Sequence, residues 1–140
     1  MHVKRKTIPI LWPVARTGTK YMAVSTHNKT DSIPLIIALR DILEIVKTKK
    51  ELKALLNDKK VLINNKIVKE VNYPICLFDA LSFPSIKKHF RAEIINKKMN
   101  FKEISEKESL VKIFKVIGKK ILGNKKVQIN LTDGKNIISS

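Results

Sequence analysis

Apolar and polar positions recur along this chain with two periods, helical in its middle and strand-like towards its end. Ile36, Leu39, Leu43 and Val46 fall on one helical stripe, which Leu35 and Ile42 widen. Ser32 precedes Ile33-Pro34, and proline suits a first turn. A helix is therefore expected over 35–46, buried on more than one side. Arg40 and Glu44 stand four apart on its outer face, where an ion pair is worth about 0.3 kcal/mol. Thr48-Lys49-Lys50-Glu51 has the T-x-x-E form of a capping box. It predicts a second helix ending near Asn57, with Leu52, Leu55 and Leu56 inward and Lys49, Lys50 and Lys53 flanking them.

Val61–Val68 alternates weakly around Asn64-Asn65, two residues that tolerate positive φ, so a tight hairpin is expected there. Tyr73–Phe83 reads as one extended run closed by Pro84. Beyond it the strand period dominates, at Phe90–Ile95, Leu110–Ile117, Lys126–Leu131 and Asn136–Ile138. Ser105 and Glu108 repeat the capping pattern. Gly118 and Gly123 are expected to bracket a turn, and Asp133-Gly134 to form another. Ahead of the first helix, Pro9, Pro13 and Gly18 leave no period intact. Residues 1–34 thus read as an extended basic arm, whose Trp12 should pack on a domain or stack on a base. The fold class is α+β: an arm (1–34), a helix–helix–hairpin–strand unit (35–84) and a β-rich region (85–140).

Composition narrows the class. The chain has 140 residues, 44% of them hydrophobic, which suffices to bury a core in one domain or two very small ones. It contains no apolar run of about eighteen residues that would span a membrane. Met1–Lys6 is charged and no apolar stretch follows, which argues against a signal peptide. Cys76 is the single cysteine, so no internal disulfide or Cys-based zinc site can form, and a reducing, cytoplasmic compartment is expected. Lys and Arg number 29 against 12 Asp and Glu, a net charge of +17. Such an excess calls for a polyanion: nucleic acid first, an anionic membrane surface second. Only Arg5, Arg16, Arg40 and Arg91 are arginines. Lysine meets phosphate as a point charge, so contact with backbone and shape is expected more than base reading.

The candidate binding residues follow the charge. Lys4, Arg5, Lys6, Arg16 and Lys20 lie in the arm, and Lys47, Lys49, Lys50, Lys53, Lys59 and Lys60 surround the second helix. The N-terminus of that helix offers free N–H groups suited to phosphate. No comparable signal exists for catalysis. His2, His27 and His89 are scattered, and no metal-ligand, nucleophile-elbow or Walker spacing occurs. Asp79, inside Leu77-Phe78-Asp79-Ala80-Leu81, reads as a turn-capping carboxylate and Cys76 as a core residue. No closely spaced pair of exposed aromatics is evident. The expectation is a non-enzymatic protein without cofactor or metal.

Four stretches carry a resemblance. They are Met1-His2-Val3-Lys4-Arg5 with Trp12 and Gly18-Thr19-Lys20-Tyr21; Ile33-Pro34-Leu35-Ile36-Ile37-Ala38-Leu39-Arg40-Asp41; Asn72-Tyr73-Pro74 through Phe83-Pro84; and Lys126-Val127-Gln128-Ile129-Asn130-Leu131 through Asn136-Ile137. In this order the chain resembles the ribosomal protein S-four-e family of the archaeal and eukaryotic small subunit. The resemblance implies that 35–84 is an S-four-type (alpha-L) RNA-binding domain and 85–140 a partial barrel. It also implies a structural role on small-subunit ribosomal RNA beside neighbouring ribosomal proteins, in the cytoplasm and away from membranes. By the same resemblance His2, Lys4 and Arg5 match a basic N-terminal signature, Lys49, Lys50 and Lys53 an RNA-facing helix, and Lys60 and Lys66 basic positions around the hairpin. Lys59, Asn65 and Cys76 stand where the family usually has glycine. The family also continues into a further β module, whereas this chain stops six residues after Gly134. It reads as a fragment or a reduced form, with the last domain incomplete. The alternative is an alpha-L module acting in ribosome rescue or attached to RNA modification.

Overall fold

The computed structural model describes residues 2–122, 126–132 and 134–139. Strand β1 (His2–Lys4) pairs antiparallel with β2 (Tyr21–Ala23), and β3 (Ser32–Pro34) with β6 (Pro74–Cys76). Helix α1 (Leu35–Ile37) continues as a π-helical turn (Ala38–Ile42), and α2 spans Lys49–Asn57. Strands β4 (Leu62–Ile63), β5 (Lys66–Ile67), β7 (Ala80–Phe83), β8 (Lys88–Ile95) and β9 (Lys98–Ile104) form one antiparallel sheet, in the order β5-β4-β7-β8-β9. After the short helix α3 (Glu106–Ser109), β10 (Val116–Ile121), β11 (Val127–Leu131) and β12 (Asn136–Ser139) make a separate antiparallel sheet. The chain is α+β, as its periods imply.

The segment read as an extended arm is folded into the body. Ile8, Trp12 and Met22 share one buried cluster with Ile33, Leu35, Leu39, Leu52, Leu56, Leu81, Met99 and Phe101. The Trp12 indole N–H donates to the Ser32 carbonyl at 3.0 Å, and the Met99 N–H to the Leu11 carbonyl at 2.8 Å. Pro9 and Pro13 erase any period but do not prevent burial, and pattern reading detects only periods. The core also passes position 84, because β8 and β9 extend the sheet begun by β4 and β7.

Three expectations within the helical unit change. The first helix stops at Ile42 rather than Val46. Its end is wide: the Leu43 N–H donates to Ala38 and the Ile45 N–H to Leu39, both at 2.9 Å. Glu44 then takes positive φ (52°), and Val46 beyond it returns to the core. The expected Arg40–Glu44 pair is replaced by Arg40–Asp41. The third change is the run 73–83, which splits into β6 and β7 at a turn where Phe78 has φ 64°.

Both Asn residues of the expected hairpin have positive φ (50° and 61°), and β4 pairs with β5 around them. Helix α2 ends on a Schellman motif: Lys60 N–H donates to Leu55 and Lys59 N–H to Leu56, both at 3.1 Å, with Lys59 left-handed at φ 57°. A side chain there is strained, so Lys59→Gly should stabilise the fold by about 1 kcal/mol. A higher urea midpoint at unchanged slope checks this; an unchanged midpoint means the cap is not strained.

Past Pro84, β9 is an addition to the expected strands. Met99 and Phe101 alternate inward, and Asn96-Lys97, both at positive φ, close the β8–β9 hairpin. The strand expected at Leu110–Ile117 begins only at Val116. Residues 110–115 are held instead by side chains: Arg91 Nη2 donates to the Glu108 and Val111 carbonyls (2.6 and 3.0 Å), and Lys112 pairs with Asp79 at 2.5 Å. Gly118 therefore lies within β10, opposite Asn130 beside a register shift, and not at a turn. Gly123 and Asp133 lie outside the described residues.

Candidate nucleic-acid interface

Register explains what gathers at the N-terminal ribbon. Val3 pairs with Met22, and these two face the core. Alternation then turns His2, Lys4 and Tyr21 to the opposite face. The His2 and Tyr21 rings meet edge-on with centroids 4.4 Å apart, and Lys20 Nζ lies 5.3 Å from the Tyr21 centroid. The exposed aromatic neighbours not evident in the sequence are thus formed by residues nineteen positions apart.

This ribbon faces the start of α2. A shallow open cleft of about 240 Å³ is lined by His2, Tyr21, Met22, Ala23, Ile36, Arg40, Lys49 and Asn72. Arg40, which the sequence reading left out of the site, also borders a second cleft with Arg5. Its π-helical position puts it between the two. Asp41 grips it with two 2.8 Å hydrogen bonds, and these hold its pKa above the ordinary arginine value. Arg40 therefore stays charged, with N–H groups to spare. The signal that could have found it was the only arginine of the first helix, set with Asp41 among apolar residues.

The sequence-predicted residues do not all behave alike. Arg5 is a staple: its guanidinium donates to the Thr19 carbonyl (2.7 Å), the Ala15 carbonyl (2.5 Å) and Thr19 Oγ1 (3.0 Å). Gly18, at φ +124°, lets this happen, since a Cβ there would stand 3.2 Å from Arg5 Cζ. Lys4, Lys6, Arg16, Lys20, Lys47, Lys49, Lys50, Lys53, Lys59, Lys60 and Lys66 are exposed. Lys60 is offset by Asp58 at 2.9 Å. Lys59 lies ten residues beyond Lys49, roughly 15 Å along the axis of α2, so Lys59 and Lys60 mark the far end of the helix from the cleft.

The N-terminus of α2 is partly closed by its own cap. Its capping box is complete: Thr48 Oγ1 accepts the Glu51 N–H at 3.2 Å, and the Glu51 carboxylate accepts the Lys47 and Thr48 N–H groups at 2.8 and 3.4 Å. The Lys49 and Lys50 N–H groups of the first turn are left, with the lysine ammonium groups, to meet a phosphate. The hydrogen bond from the Lys47 N–H, foremost, depresses the Glu51 pKa below its ordinary 4.5. A depressed folded-state value means the cap contributes fully above about 4.5 and is lost as pH falls through the lower, folded value. The Lys47 and Thr48 amide proton shifts should therefore titrate with a midpoint below 4.5, and Glu51→Gln should remove that step. Flat shifts in the unsubstituted chain would show that the carboxylate does not hold the cap.

Among the described residues, no group of His, Cys, Asp or Glu is placed to hold a metal ion, and no helix is long and apolar enough to cross a membrane. Asp79 caps the turn before β7, accepting from the Cys76 N–H at 2.7 Å and from Asn64 Nδ2 at 2.8 Å. It is structural.

Known proteins resemble this chain in sequence and in fold. Residues 86–140 match Ribosomal family S4e. The small ribosomal subunit protein eS4 of Methanosphaera stadtmanae is 35% identical over 142 residues, covering 99% of this chain and 59% of that protein. The protein of the same name from Methanocella arvoryzae is 32% identical over 142 residues, covering 99% and 60%. The chain thus spans about 60% of the length of the curated relatives it matches. A crystal structure of the 30S ribosomal protein S4e from Thermoplasma acidophilum has a like fold, with a TM-score of 0.64 over 79% of this chain and 57% of that one, at 20% identity. With sequence agreement running along nearly its whole length, the chain belongs to ribosomal family S4e.

Proposed function

We propose that this chain is a structural, non-enzymatic component of the small ribosomal subunit, binding ribosomal RNA mainly through phosphate contacts. One observation carries the reading: on a chain of net charge +17, the fold brings His2, Arg40 and Lys49 around a single open cleft, with Lys4 and Lys20 beside it. Residues 35–84 act as the alpha-L unit. Lys49, Lys50 and Lys53 present charge outward while Leu52 and Leu56 anchor α2 in the core. The names of the relatives place them in the small subunit and support the same site here, in the cytoplasm beside other ribosomal proteins.

Sedimentation of a gentle lysate of the source cells on a sucrose gradient tests this. The expected result is stoichiometric protein in the small-subunit peak, released only by high salt. Protein at the top of the gradient, or only on large-subunit particles, would overturn the reading.

A further inference from the structure

The cleft beside the β1–β2 ribbon has features that a phosphate-binding surface does not need. A backbone contact requires cations and hydrogen-bond donors, and no stacking face. Here the cations surround an aromatic ring: Tyr21 is 47% exposed on the cleft wall, braced edge-on by His2. Ile36, Met22 and Ala23 make the remaining lining partly apolar, and Asn72 adds an amide that can both donate and accept. Arg40 and Lys49 stand at the same opening. The volume, about 240 Å³, is smaller than drug-sized pockets and suits one planar ring system.

We propose that this cleft receives a single unpaired nucleotide of RNA, its base against Tyr21 and its phosphate held by Arg40 and Lys49. The inference rests on the RNA-binding reading above and adds to it a preference for a base out of its helix. Paired bases cannot reach such a cleft, because their faces are covered by neighbours and their edges lie within grooves. An extruded base exposes a face that an aromatic ring can stack on, whatever its identity. Asn72 is placed to add a contact to the base edge. The His2–Tyr21 brace keeps the ring oriented before RNA arrives, which lowers the ordering cost of binding.

Three synthetic RNAs of equal length test it: a fully paired duplex, the same duplex with a one-nucleotide bulge, and the bulged duplex with an abasic sugar in the bulge. The unsubstituted chain should bind the bulged RNA about tenfold more tightly than the other two. Tyr21→Ala should erase that preference and Tyr21→Phe should keep it. Tyr21→Leu, which retains bulk in the strand, should erase it too and guards against loss of the ribbon. Equal binding to all three RNAs by the unsubstituted chain would overturn the proposal, as would a preference that survives Tyr21→Ala and Tyr21→Leu. Salt-insensitive or undetectable binding to every RNA would instead defeat the underlying interface, and this inference with it.

Discussion

Asp79→Ala is expected to lower the folding free energy by about 3–5 kcal/mol, the range for removing one partner of a buried ion pair. Asp79 is 4% exposed and takes three donors: the Cys76 N–H, Asn64 Nδ2 and Lys112 Nζ. Each belongs to a different part of the chain. Cys76 ends β6, Asn64 is the first residue of the β4–β5 turn, and Lys112 lies in the segment leading to the last sheet. The same Lys112 ammonium stands 4.8 Å from the Phe114 ring centroid, and Lys135 Nζ is 5.4 Å from it. Loss of the carboxylate would remove the anionic partner of a Lys112 side chain only 12% exposed and the shared acceptor of two N–H groups. For a small domain of about 5–15 kcal/mol total stability this is a large share. Urea unfolding monitored through Trp12 is the direct measurement. Asp79→Asn should fall between the two, since the amide still accepts one hydrogen bond but cannot pair with Lys112. A loss under about 1 kcal/mol for Asp79→Ala would show that water replaces the carboxylate.

A fourfold rise in salt, from about 50 to about 200 mM, should weaken RNA binding roughly 10³–10⁴-fold if about 6–8 phosphates are neutralised. That corresponds to a log–log slope of roughly −5 to −7. The structure indicates which lysines should set it. Lys49 and Lys50 are exposed on the first turn of α2, whereas Asp58 already offsets Lys60. Lys49→Ala with Lys50→Ala should therefore reduce the slope by about 1–2 and weaken binding to all RNAs alike. Lys60→Ala should change it less. Titrations at four or five salt concentrations give the slopes, and a slope unmoved by the double substitution would remove the start of α2 from the interface.

Much of this protein follows from local rules. The Thr48–Glu51 and Ser105–Glu108 capping boxes, the Asn64-Asn65 turn and the leucine face of α2 each depend on residues within four positions of one another, so the sequence alone specifies them. The positive charge is likewise a sum over the chain, independent of its fold. Tertiary structure decided the rest, because the determining partners are far apart. Trp12 is core because Ser32 offers its carbonyl twenty positions away, which no period along 1–34 can show. The first helix ends at Ile42 because burial of Val46 requires Glu44 to turn left-handed. Arg5 is engaged by the carbonyls of Ala15 and Thr19, while Arg40 stands beside the cleft on a π-helical turn. The cleft itself exists because antiparallel pairing sets His2 diagonally across from Tyr21 and the fold brings both to one opening with Lys49 of α2. Residue types thus determined the positive charge of this chain, and long-range pairing alone determined which cations gather around one cleft.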